Sequence, residues 1–107
     1  MYLPNAYQNF SSRFPKVLER FQELGVACRE TGPLDEKTQN LIKLGIAVGA
    51  NSRGAVMSSV RKALSSGASD NEIFHAILLS ITTNGFPTMI AAMGWAGEVL
   101  EKQSNKK

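Results

Sequence analysis

One cysteine, one histidine and one tryptophan occur in the 107 residues, and these low counts exclude more chemistry than any motif admits. A lone Cys28 can form neither an intramolecular disulfide nor a Cys-x-x-Cys redox pair. A lone His75 argues against zinc, because a zinc site within one chain draws several Cys, His or carboxylate ligands together. No metal and no cofactor is therefore expected. No apolar run approaches the roughly 20 residues that span a bilayer, so no membrane partner is expected either. Net charge is +3, but Lys106 and Lys107 supply part of it and the other basic residues are scattered. The basic stripe of a nucleic-acid binder is missing. The segment from Met1 to Tyr7 lacks a basic stretch followed by an apolar one, which points away from a secretory signal and towards the cytoplasm.

What is present reads as helix throughout. The length fits one domain over residues 1–107, since smaller pieces would bury too little. Residues 1–13 form an aromatic and polar lead-in. A long helix starts near Phe14-Pro15, with proline suited to the first turn. Phe14, Val17, Leu18, Phe21, Leu24 and Cys28 recur at three- and four-residue steps and make one apolar face; Cys28 on that face reads as a buried structural thiol. Gly32-Pro33 ends this helix. Asp35 caps the next, which runs through Leu41, Ile42, Leu44, Ile46 and Val48 to Gly49. It is apolar on most sides and is expected to be the central, most buried helix.

A third helix spans Ser52 to Ser66, with Val56, Met57, Val60, Ala63 and Leu64 inward and Gly67 as its stop. Ser69-Asp-Asn-Glu72 is a capping box, opening a helix that carries Ile73, Phe74, Ile77 and Ile81 and fades at Thr82-Thr83-Asn84-Gly85. Pro87 opens the last helix, Thr88 to about Lys102, before a polar tail at 103–107. Its Ala91, Ala92, Gly94, Ala96 and Gly97 predict close approach to a neighbouring helix. The expected fold is all-α, a compact bundle of five to six helices. So many apolar faces on a short chain favour self-association.

Several stretches together resemble the carboxymuconolactone decarboxylase and alkyl hydroperoxidase D family. They are Phe14-Pro-Lys-Val-Leu-Glu-Arg-Phe, Gly32-Pro-Leu-Asp-Glu-Lys-Thr-Gln-Asn-Leu-Ile42, Ser59-Val-Arg-Lys-Ala-Leu-Ser-Ser-Gly-Ala-Ser-Asp-Asn-Glu-Ile73 and Gly85-Phe-Pro87. The resemblance runs from about residue 14 to 100 and implies that family's helical fold and a homo-oligomer, a hexamer or trimer. In its peroxidase branch, a Glu stands ahead of a Cys-x-x-Cys-x-x-x-His run. That frame falls here on Asn40, Ser52, Ala55 and Ser59. Serine cannot cycle through a sulfenic acid, so the thiol mechanism has no residues to use. In a second branch a run like Glu-Gly-Ala-Val-His-Ser-His precedes the same Arg-x-Ala-Leu segment. Here it reads Arg53-Gly-Ala-Val-Met-Ser-Ser59, with Arg53, Met57 and Ser59 at the Glu and His positions. These side chains do not suit a divalent metal, and Glu replaced by Arg favours an anion.

The expected site is a pocket between the third and fourth helices, with Arg53, Ser59, Ser52 and Met57 as ligand contacts. His75 is the one candidate acid–base group. The hydroxyls of Thr82 and Thr83 could also line it. Three functions follow: small-molecule binding with residual acid–base, decarboxylase-type activity; peroxidase activity through Cys28; or a non-catalytic oligomeric scaffold partnering an intact paralogue. Whether the chain is an enzyme is left open by its residues.

Overall fold

The computed structural model describes residues 5–105. Every regular element among them is helical: α1 (Asn5–Arg13), α2 (Pro15–Glu30), α3 (Glu36–Gly49), α4 (Arg53–Ser65), α5 (Asp70–Leu78), α6 (Ile81–Asn84) and α7 (Phe86–Asn105). The architecture is all-α, as the periodicity and the family resemblance implied. The chain divides into two compact units, Met1–Pro33 and Leu34–Lys107.

In the first unit, α1 and α2 are interrupted at Phe14, which takes φ −130° and ψ 57°. Pro15 is the cause, because proline disfavours the helical region for the residue before it. The Phe14 N–H still donates to Phe10 O at 2.8 Å, and the two rings stand 5.5 Å apart. Residues 5–13 of the expected lead-in are thus helix; residues 1–4 lie outside the described residues. Neither helix buries a residue. Phe21 is 69 % exposed and Leu24 60 % exposed, and Cys28 is exposed with them. The expectation of a buried Cys28 is therefore corrected. The apolar spacing is real, but spacing reports that a face exists and says nothing of what covers it.

The second unit holds the core. Asp35 caps α3, its carboxylate accepting from Thr38 N at 2.8 Å; that bond holds the Asp35 carboxyl below the usual carboxylate range. From α3, Leu44, Ala47 and Val48 point inward. They meet Val56, Met57, Val60 and Ala63 of α4, Ile73 and Ile77 of α5, and Met89, Ala92, Ala96 and Val99 of α7. Helix α4 stops at Gly67, whose φ of +97° favours glycine. The capping box forms in full: Ser69 N donates to Glu72 Oε1 at 2.9 Å and Glu72 N donates to Ser69 Oγ at 3.1 Å.

Four details differ from the sequence reading. Helix α3 buries one side only, leaving Ile42 46 % and Ile46 66 % exposed. After Leu78 the chain turns once and resumes as the short α6; Ser80, buried in that turn, donates its hydroxyl to Ile77 O at 2.7 Å. In α7, Ala92 and Ala96 are buried, but the Cβ positions of Gly94 and Gly97 have nothing within 4 Å. Its small residues pack at the alanines, and the glycines stay open within the chain. The helix also continues to Asn105, through part of the expected tail, whose last two residues lie outside the described ones.

Candidate functional site

The larger depression in the second unit is a groove of about 560 Å³ lined from α3, α5 and α6. Helix α3 supplies Thr38, Leu41, Ile42 and Gly45, which follow one another at helical spacing and so share a face. Helix α5 supplies Glu72, His75 and Ala76, and beyond it come Leu79, Ser80, Thr83 and Asn84. The capping box sets where α5 begins, and His75 stands one turn after Glu72 on the same side. Both Glu72 oxygens are engaged, Oε1 by Ser69 N at 2.9 Å and Oε2 by Lys37 Nζ at 3.0 Å. The backbone bond first and the lysine second hold this carboxyl below the usual range. Asn84 packs beside Gly49, its amide atoms 3.6 Å from where a Cβ would stand.

The chemistry of this groove is mixed. Leu41, Ile42, Ala76 and Leu79 form an apolar bed, while Thr38, Thr83, Asn84 and the exposed His75 border it with hydrogen-bonding groups. His75 is the one side chain there that carries both a donor and an acceptor nitrogen in one ring. Glu72 is held by Ser69 N and Lys37 Nζ, and the lysine offsets its charge.

A second groove, about 430 Å³, lies between the start of α4 and α7 and is lined by Asn51, Arg53, Pro87, Thr88, Ala91 and Trp95. Arg53 Nη2 pairs with Glu98 Oε1 at 2.8 Å, so an incoming anion competes with a carboxylate already in place. Asn51 enters α4 with φ +54°, a left-handed turn that asparagine tolerates.

A model of the carboxymuconolactone decarboxylase family matches residues 15–98, from the start of α2 into α7. The chain belongs to the carboxymuconolactone decarboxylase family. It is also 30 % identical, over 62 residues, to an uncharacterized protein of Haemophilus influenzae; the match covers 58 % of this chain and 55 % of that protein. The chain thus spans about half the length of this relative.

Among carboxymuconolactone decarboxylase family positions, Asn40 has a structural task here. It is buried at 4 % exposure, and its Nδ2 donates to Lys62 O at 3.2 Å and to Ser66 Oγ at 3.0 Å. Asn40 thus stitches α3 to the end of α4. Ser52 is likewise a helix cap, its Oγ accepting from Ala55 N at 3.2 Å. Met57 is in the core, and Ser59 is half-buried on α4.

The expected pocket holding Arg53, Ser59 and His75 together is not what the chain forms. Arg53, in the first turn of α4, turns to Glu98 on α7, whereas His75 faces the α3 and α6 side. Ser59 lines neither groove. Thr83, noted from sequence as a lining hydroxyl, does line the first. Thr38, Glu72, Ser80 and Asn84 were missed. Spacing from His75 could have found Glu72, but Thr38 and Asn84 come from other helices, and only packing unites them. Among the described residues, no group of three His, Cys, Asp or Glu could hold a metal. No described helix is long and apolar enough to cross a membrane.

Proposed function

We propose that this family member binds a small molecule, with an apolar body and a polar end, in the α3/α5/α6 groove. His75 meets the polar end and is the one group available for proton transfer. The carrying observation is the position of the chain's single histidine on the wall of its larger groove, between an apolar bed and the groups of Thr38, Thr83 and Asn84. Any turnover is acid–base chemistry of the decarboxylase type. Peroxidase chemistry is disfavoured because Ser52, Ala55 and Ser59 stand where a thiol mechanism needs cysteines and a histidine. Anion binding at Arg53 is the weaker reading, since Glu98 already holds that guanidinium.

The test is a thermal-shift screen with small cyclic alcohols, lactones and carboxylates on wild type, His75→Ala and Arg53→Ala. A compound that stabilises wild type and Arg53→Ala but not His75→Ala supports the groove. Hits that survive His75→Ala and vanish in Arg53→Ala contradict it. Turnover of tert-butyl hydroperoxide that is lost in Cys28→Ser would revive the peroxidase reading.

A second reading concerns assembly. The exposed Ile42, Ile46, Leu78, Leu79, Phe86 and Ile90 of the second unit, added to the bare face of α2, favour a homo-oligomer. The family resemblance suggests a trimer or hexamer. Wild type sedimenting as a single chain at high concentration would contradict this.

A further inference from the structure

The charges around the α3/α5/α6 groove restrict what the polar end of a ligand can be. Among the described residues that line it, Glu72 is the one ionisable side chain besides His75, and it is an anion. The cation beside it is already used. Lys37 Nζ stands 3.0 Å from Glu72 Oε2, both side chains partly buried, and the pair presents no net charge to a ligand.

Both ends of the groove repeat that bias. Thr38 and Glu72 stand in the first turns of α3 and α5, where the N–H groups of a helix start attract anions. The chain's own carboxylates fill those places: Asp35 accepts from Thr38 N at 2.8 Å, and Glu72 Oε1 accepts from Ser69 N at 2.9 Å. At the other end, Asn84 packs beside Gly49, the last residue of α3, where the helix dipole puts partial negative charge. The polar groups left for a ligand are the neutral side chains of Thr38, Thr83 and Asn84, with His75 one turn beyond Glu72. A carboxylate entering here meets a like charge at Glu72 and finds Lys37 committed. A hydroxyl, carbonyl or amide incurs no such penalty.

We propose that the Lys37–Glu72 pair sets the ligand class of this groove, admitting uncharged molecules whose polar end is a hydroxyl, carbonyl or amide and excluding carboxylates. The inference rests on the groove reading above and narrows it. An uncharged ligand has no carboxylate to lose as CO2, so the acid–base step left to His75 is the movement of a proton.

The experiment titrates cyclohexanol and cyclohexanecarboxylate, matched in their apolar ring, into wild type, Glu72→Gln and Lys37→Met. It is run at about pH 8, where the carboxylate is ionised, with the His75 ring and the Ile42 methyls followed by NMR. Glutamine keeps the capping box, so Glu72→Gln removes the charge and frees Lys37 while α5 still begins at the same place. Wild type is expected to prefer the alcohol. In Glu72→Gln the carboxylate-to-alcohol affinity ratio should rise on the order of fivefold, the worth of one partly exposed ion pair. In Lys37→Met, with Glu72 unpaired, the ratio should fall. Equal wild-type affinities, or one ratio shared by all three proteins, overturn the inference and leave the groove reading standing. Silence at His75 and Ile42 with both probes in all three proteins overturns the groove reading as well. Should Glu72→Gln not fold, the wild-type ratio and its direction in Lys37→Met decide the same question.

Discussion

Helices α2 and α4 are amphipathic pieces of comparable length, 16 and 13 residues, and they have opposite fates. Helix α4 buries Val56, Met57, Val60 and Ala63, capped by Ser52 at one end and released by Gly67 at the other. Helix α2 has an equally regular apolar stripe and buries nothing. The difference lies in neighbours. Helix α4 is flanked in sequence by helices whose inward residues match its own, and they close a core that then holds α5 and α6 in place around His75. An amphipathic period is a statement about demand for a partner, and the partner need not be in the same chain.

The comparison is broken most severely in the core. Leu44→Ala removes a fully buried side chain and is expected to lower unfolding free energy by about 2–5 kcal/mol, read by urea denaturation. Phe21→Ala in dilute protein should cost far less, since its ring is mostly exposed. Equal losses would mean that α2 belongs to the same cooperative core. Next comes Asn40→Ala, which strips the ties from α3 to Lys62 and Ser66 and should cost roughly 1–3 kcal/mol. A neutral result would show that water replaces the amide.

Ser69→Ala deletes the hydroxyl that accepts from Glu72 N. Its expected cost is about 1 kcal/mol, and the same change should weaken ligand binding, because α5 carries His75. The smallest effect is on acid stability. Asp35 and Glu72 both have carboxyl pKa values below their unfolded ones. Their contribution is full above the unfolded values and is lost as pH falls through the lower folded ones. Stability should therefore decline below about pH 4, and Lys37→Met should flatten the Glu72 part of that decline, because Lys37 Nζ is the side-chain partner of Glu72 Oε2. A decline beginning near neutrality would point to a different group.

Local chemistry was the legible part of this sequence. The Asp35 cap, the Ser69–Glu72 box and the Gly67 stop each act within a few residues, so these boundaries could be placed before any packing was known, whereas Ser52, taken for a ligand contact, is a cap. The all-α class followed from the three- and four-residue spacing of apolar side chains, and the family frame from the stretches that resemble it. What sequence could not supply was which helix faces meet. Arg53 and His75 look like partners because the family frame puts them on adjacent helices, yet Glu98, reachable only through the α4–α7 packing, takes Arg53 away. Thr38 and Asn84 join His75 for the same reason, through contacts between residues far apart in the chain. Cys28 was misplaced because a regular apolar stripe was taken as a sign of burial, and it is exposed.

One NMR titration tests the central claim most directly, because the chain has a single histidine and a single tryptophan, one in each groove. The His75 imidazole and the Trp95 indole would be followed while a compound that stabilises the protein is added. The account predicts that His75 and the neighbouring Ile42 methyls shift together and saturate while Trp95 stays still. A saturating shift at Trp95 with His75 silent would place the ligand beside Arg53 and contradict it.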